Sequence, residues 1–300
     1  MHVADVLSEL PRGYDVIRAR RACIAVRHDV ALELDRAGYG LDSDGATTAS
    51  ALAGRRPLLE LATPGGTFLI RRFTHGGLLR SITGSRFGDP ARPFRELCTA
   101  ARLLERGVRT PEIVAARARR AAGFGWELDV VTRRVEGALD LGAVLAMARR
   151  GEIRRRVLQR VERALGALVR ELHDLGCLHA DLTPSNVLAE RSSLDQGEPT
   201  LWIIDLDRAC MVPEVSDAER RANIARLYRF IVRRERYGRL LARSDHARFL
   251  RGYDPASTRW KDDWKAIAAL HDRGRVWHAM GWRLEEMWSR RADLREAPPR

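Results

Sequence analysis

The stretch from residue 153 to residue 207 constrains the fold most. Ile153, Val157, Val161, Leu165, Leu168 and Leu172 recur at helical spacing and Gly176 ends the run, which predicts a long amphipathic helix over 153–175. A polar loop between apolar flanks follows at once: Cys177-Leu178-His179-Ala180-Asp181-Leu182-Thr183-Pro184-Ser185-Asn186-Val187-Leu188. Residues 187–189 and 201–204 read as short strands around a second polar loop, and the latter strand runs into Asp205-Leu206-Asp207. A helix, a charged loop and two short strands thus stand in fixed order.

The flanking sequence divides in character. Before residue 135, strands are predicted at 23–26, 58–61, 67–73, 113–116 and 128–131, with Thr63-Pro64-Gly65-Gly66 as a hairpin turn. A short helix over 30–37 is closed by Gly38, and 42–53 reads as a loop. One longer helix is predicted over 93–106, from Phe94, Leu97, Ala101 and Leu104 to the stop at Gly107. Past Glu136 and Gly137 helices dominate, and 216–295 is almost entirely helical in pattern. The expectation is an α+β chain. Residues 1–135 form an N-terminal extension and a β-rich lobe with one key helix, and 136–300 form an α-rich lobe with a Trp/Arg-rich tail.

A length of 300 residues suits two lobes sharing a cleft, and 45% apolar content is that of a foldable chain. No apolar run is long enough to cross a bilayer, and Met1 to Leu10 lacks the apolar region of a secretory signal, so a cytoplasmic protein is expected. Four scattered cysteines, without a C-x-x-C pair, read as buried thiols in a reducing compartment. The net charge of +13 is carried by arginine, since Lys261 and Lys265 are the only lysines. It favours anionic partners: nucleic acid, a phosphorylated lipid or the cytoplasmic membrane face. Arginine-rich genome composition would give the same excess.

The chemistry lies in the spacing. The loop matches the protein-kinase pattern H-x-D-L-x-x-x-N. In that pattern a carboxylate, here Asp181, accepts the proton of an acceptor hydroxyl, while an amide five residues on, Asn186, ligates magnesium from the same loop. Asp205 ends an apolar strand nineteen residues after Asn186, where the second magnesium ligand sits, with D-L-D in place of D-F-G. His179 is expected to brace the loop. Phe68-Leu69-Ile70-Arg71 occupies the V-A-I-K place and Glu96 lies on the following helix. No lysine exists in this half, so Arg71 takes the nucleotide-phosphate role, unless it merely decorates an exposed strand with Arg72. A G-x-G-x-x-G loop is absent, leaving Gly45, Gly54, Gly65 and Gly66 as candidates. By position alone, 131–135 is the hinge offering adenine contacts from Arg133 and Val135.

At these residues the sequence resembles the lipopolysaccharide core kinases, and within them 3-deoxy-D-manno-octulosonic acid (Kdo) kinase. The motifs are Leu69-Ile70-Arg71-Arg72-Phe73 with Gly76-Gly77-Leu78, Phe94-Arg95-Glu96, His179-Ala180-Asp181-Leu182 and Ile204-Asp205-Leu206-Asp207-Arg208. The similarity runs from about residue 55 to residue 253. It implies a protein-kinase-like two-lobed fold, ATP and magnesium as cofactors, and phosphorylation of an inner-core sugar at the cytoplasmic membrane face. It also implies Asp181 as base, Asn186 and Asp205 as metal ligands, and Arg71 with Glu96 as nucleotide clamp. The family tolerates arginine at position 71. The first 55 and last 45 residues fall outside the resemblance, and the connection from Asn186 to Asp205 is long.

Two features disfavour a peptide acceptor. Val212-Pro213-Glu214 follows only a few residues after Asp207, leaving no activation segment, and Thr183 stands where Ser/Thr kinases carry lysine. The partners expected are ATP, a glycolipid or sugar acceptor and an anionic membrane face, with no nucleic acid. Trp260, Trp264, Trp277, Trp282 and Trp288 crowd the last 41 residues among arginines. They suit a membrane interface, or a helix packed on the second lobe. A kinase of a soluble hydroxylated molecule, such as an aminoglycoside or a protein serine, and a pseudokinase docking module remain the alternatives.

Overall fold

In the computed structural model, residues 3–50, 58–74, 86–234 and 242–270 are described. The first part is built on a seven-stranded antiparallel sheet in the order β1-β2-β6-β7-β5-β4-β3. Its strands are β1 (Tyr14–Ala19), β2 (Ala22–Arg27), β3 (Thr48–Ala49), β4 (Leu59–Thr63), β5 (Gly66–Arg72), β6 (Ile113–Arg120) and β7 (Trp126–Arg133). Helices cover both faces. On one lies α3 (Arg92–Glu105), which buries Phe94, Leu97, Cys98, Ala100 and Leu103; the short α1 (Val3–Ser8) adds Val6 and Leu7 to the same cluster. On the other lies α2 (His28–Arg36), whose Val30 and Leu34 pack with Leu61, Phe68, Ile70, Val114 and Val131. Coverage on both sides explains why β6 is buried for six successive residues instead of alternating.

The strand β6 also carries Arg117, whose side chain is fully buried. Its guanidinium donates to Asp129 at 2.8 and 3.1 Å and to the carbonyls of Gly40 and Ser43 at 2.5 and 2.6 Å, and it pairs with Asp44. The ring of Tyr39 lies 4.5 Å beneath it, and the Tyr39 hydroxyl donates to Asp129. One cation thereby pins the whole turn after α2 to the middle of the sheet. A buried charge persists only when satisfied in this way.

The chain leaves this sheet after Arg133, and β8 (Ala138–Asp140) pairs with β10 (Val187–Glu190), which pairs with β11 (Leu201–Ile203). The Asp140 carboxylate caps α4 (Leu141–Arg149), accepting from the Ala143 amide at 2.8 Å. Helix α5 (Arg155–Asp174) is the long amphipathic helix of the sequence, and it crosses α8 (Arg243–Tyr253). The contact is backbone on backbone: a Cβ on Gly166 would lie 2.1 Å from the Phe249 carbonyl, and one on Gly252 2.1 Å from that of Arg163. The remaining elements are β9 (Cys177–Leu178), α6 (Arg191–Leu194), β12 (Cys210–Met211) and α7 (Asp217–Arg234), and residues 260–270 are helical. The mixed α/β architecture is the one expected. Strand β1 and helix α1 were not expected, and no described helix is long and apolar enough to cross a membrane.

Glu162 of α5 is buried, and among the described residues neither of its carboxyl oxygens meets a partner at hydrogen-bond geometry. Burial pushes its pKa up to about 8, and the negative charge of Asp245 pushes the same way. Asp245 itself is held by Arg155 and Arg248 and caps α8 at the Ala242 amide, 2.7 Å away. A carboxyl whose folded pKa lies above its unfolded value stabilises the fold at low pH. That contribution is lost as pH rises from about 4.5 to about 8. Glu162→Gln, which is always neutral, is therefore expected to melt a few degrees above wild type at pH 8.5 (roughly 2–4 °C per 1 kcal/mol) and near it at pH 5. A gap independent of pH would show that Glu162 is charged in the fold throughout.

Candidate active site

The polar loop after α5 is braced from below. His179 is buried; its Nε2 donates to the Ile204 carbonyl at 2.9 Å and its Nδ1 accepts from the Asp181 amide at 3.2 Å. Both contacts require the neutral ring, and burial pulls its pKa down. The Asn223 amide of α7 donates to the His179 carbonyl at 2.8 Å. Asn186, at the end of a 3-10 turn (Pro184–Asn186), donates to the Asp181 carbonyl at 2.8 Å and lies 3.4 Å from its Oδ2. Its own carbonyl accepts from the Ile204 amide at 3.0 Å. Asp181, Asn186 and the end of β11 thus form one tied unit.

Asp205 follows in a left-handed conformation, φ 63° and ψ 61°, the only non-glycine residue with positive φ among those described. Such a backbone costs about 1–3 kcal/mol and persists where its surroundings hold it. A second 3-10 turn (Leu206–Arg208) begins directly after it.

The sheet supplies the opposite wall. On β5, Ile70 packs under α2 while Arg71 faces α3, where it pairs with Glu96. The other Arg71 nitrogen lies 3.4 Å from Asp205 Oδ1, and the guanidinium stacks 4.6 Å over the Phe73 ring. Glu96 is buried, 4% exposed, and burial lifts its pKa to about 7; Arg71 pulls it down, while Asp205 and Asp207 push it up. Burial also works against the charge on Arg71, but Glu96, Asp205 and Asp207 outweigh it and raise its pKa. Arg72 points the other way, 52% exposed and 2.5 Å from Asp44. Arg92, the first residue of α3, holds both carboxylate oxygens of Asp207. Sequence reasoning had not linked these two, since nothing in the spacing of residues 92 and 207 signals a contact.

Other predicted positions fall differently. Arg133 donates through Nε to Glu112 at 3.1 Å and through Nη2 to Asp29 at 3.4 Å, and its amide donates to the Glu112 carbonyl at 3.1 Å. Its side chain and amide are therefore engaged within the sheet lobe, and Val135 contributes a carbonyl to the turn at Ala138, 3.4 Å away. Pro64 and Gly65 form the β4–β5 turn and Gly66 opens β5; the Gly65 amide is held by Glu33 at 2.7 Å, and Gly45 packs against the Ala37 carbonyl. Gly54, Gly76, Gly77 and Leu78 lie outside the described residues, as do Trp277, Trp282 and Trp288. Trp264 packs on Tyr228 and stacks on His246, 4.3 Å between centroids, so this end of the cluster serves packing.

The profile of the lipopolysaccharide kinase (Kdo/WaaP) family matches residues 50–253, a span that holds Arg71, Glu96, Asp181, Asn186 and Asp205. The 3-deoxy-D-manno-octulosonic acid kinase of Actinobacillus succinogenes is 29% identical over 189 residues, 61% of this chain and 74% of that protein. That of Haemophilus influenzae (strain 86-028NP) is 30% identical over 144 residues, covering 46% of this chain and 56% of the relative, little more than half its length. Among solved structures, WaaP in complex with acyl carrier protein superposes with a TM-score of 0.55 over 77% of this chain and 89% of that one. At 21% identity the likeness is one of fold. The chain belongs to the lipopolysaccharide kinase (Kdo/WaaP) family and is a phosphotransferase on a mixed α/β, kinase-like fold.

Proposed function

We propose that this protein transfers the γ-phosphoryl group of ATP to a hydroxyl of Kdo, or of another inner-core sugar of lipopolysaccharide. The observation that carries the reading is the convergence of the tied loop bearing Asp181 and Asn186 with Asp205 and the pair of Arg71 and Glu96. Asp181 would accept the proton of the sugar hydroxyl as it attacks. Arg71, oriented by Glu96 and by the Phe73 ring, would grip phosphate oxygens through its planar fork. The neutral His179 orders the loop and takes no proton. Asn186 and Asp205 offer an amide oxygen and a carboxylate, hard donors that suit magnesium, which completes its shell with water and phosphate. Magnesium, when bound, would neutralise the developing phosphate charge.

The connection from Arg208 to α7 supports a non-peptide acceptor. Only residues 209–216 lie between them, and they include β12, paired with β9; a peptide-docking segment has no room there. The arginine excess supports peripheral contact with the anionic cytoplasmic membrane face, where such an acceptor is displayed.

The test is incubation with labelled ATP and magnesium against a panel of Kdo-bearing lipid A precursors, heptose-extended cores and a generic peptide. Label on the Kdo-bearing acceptors is expected. ATP binding without transfer to any core sugar would favour the docking module, and label on the peptide would overturn the acceptor class.

Two neighbouring arginines check the strand register. Arg71→Ala is expected to weaken ATP binding or turnover at least ~10-fold, the scale of a lost bidentate phosphate contact. Arg72→Ala should change either by less than about twofold, since adjacent strand residues face opposite sides. The reverse order would place the nucleotide on the other face of the sheet.

A further inference from the structure

We infer that Arg92 and Asp207 act together as a positioning pair, holding Asp205 in its left-handed conformation and setting α3 in register with the metal-binding loop. This rests on the function proposed above. Neither residue is assigned a contact with substrate.

In the protein-kinase pattern the residue two after the metal-binding aspartate is glycine. Here it is a charged residue with 12% of its side chain exposed, and both of its oxygens are taken by Nε and Nη2 of Arg92. That arrangement is the fork-on-carboxylate geometry available to arginine and not to lysine. The guanidinium sits 4.9 Å over the Phe87 ring and 5.4 Å over Phe73, and Phe73 also carries Arg71 at 4.6 Å. A single ring therefore contacts two cations, each paired with its own carboxylates. The exposed pair of Arg150 and Glu152, with no such wall, shows what an incidental ion pair in this chain looks like.

The backbone explains why such a fixture is needed. Asp205 occupies a conformation that L-residues disfavour, so the chain must be held on both sides of it. Before it, Ile204 is fixed by its bonds to Asn186 and His179. After it, the turn is closed by the Ala209 amide on the Leu206 carbonyl at 2.9 Å, Leu206 is buried at 3% exposed, and Asp207 is clamped by Arg92. Arg92 starts the same helix that carries Glu96 one turn later, so a single rigid element holds both Arg71 and the metal loop. Asp207 is thus committed to Arg92 through both of its oxygens.

The test uses the full chain, with the magnesium concentration for half-maximal rate as its readout, which a purely structural role would not move in a folded variant. Arg92→Gln and Asp207→Asn are each expected to raise that concentration about 10-fold and to lower kcat/KM for ATP by a similar factor. The double variant should be no worse than the poorer single, because both changes break one interaction. Arg92→Lys, which keeps the charge and loses the fork, should fall with Arg92→Gln and keeps the test open if the glutamine variant fails to fold. Folded variants within twofold of wild type in magnesium dependence, or additive losses in the double, would overturn the inference while leaving the function standing. A wild type whose rate ignores magnesium would overturn both.

Discussion

Asp181→Asn is expected to keep the fold and the affinity for ATP while lowering turnover at least ~10²-fold. The amide is isosteric and can still meet Asn186 and the neighbouring backbone, so the loop keeps its shape. What it loses is the ability to take a proton from the acceptor hydroxyl. Calorimetric ATP binding, set beside phosphate transfer to a Kdo-bearing acceptor, separates the two effects. A silent substitution would mean that no chemistry depends on this carboxylate, as a docking module requires. Activity that survived in the variant would keep the enzyme and displace the base, with Asp207, held by Arg92, the next carboxylate to examine.

The second large effect concerns Asp205. Asp205→Ala should abolish magnesium-dependent nucleotide binding, a loss of at least ~10-fold in affinity, because it removes the carboxylate that lies 3.4 Å from Arg71 at the edge of the tied loop. Alanine at φ 63° also strains the turn, so the loss has two sources. Asp205→Asn separates them, since asparagine tolerates left-handed backbone while lacking the charge. The expectation is that both variants lose magnesium-nucleotide and that the asparagine variant keeps the wild-type melting temperature. Unchanged affinity in the asparagine variant would take the charge of Asp205 out of metal binding.

Arg71, Glu96, Asp181, Asn186 and Asp205 come together, and their signals were local or chemically rigid. The helix read over 153–175 spans Arg155–Asp174, and the spacing of His179, Asp181 and Asn186 left one loop geometry that satisfies all three. The strand carrying Arg71 and the helix carrying Glu96 were equally legible, since alternation and helical spacing named their buried faces. What escaped had no local signature. Strand β1 is an edge strand, exposed along five of its six residues, so Val16 and Ile17 gave no alternation to read. Helix α1 is too short for periodicity. Residues 42–53, read as a loop, hold the two-residue β3. Arg117 looked like any arginine on a basic strand, and its burial depends on Asp129, Asp44 and the carbonyls of a turn some seventy residues earlier. The bond from Arg92 to Asp207 joins positions 115 residues apart.

Arg117 has a consequence for which residues the sheet cannot lose. The family match starts at residue 50, which invites the view that the preceding segment is an appendage to be trimmed. Yet three of the groups around that guanidinium, the carbonyls of Gly40 and Ser43 and the carboxylate of Asp44, come from before that point, as does the aromatic ring under it. Trimming would strand a cation inside the sheet and uncover the apolar surface that Val30, Leu34 and Tyr39 now close. The segment before residue 50 is thus part of the sheet's own foundation, and a chimera joined at the edge of the shared sequence would carry the loop residues without the support beneath them.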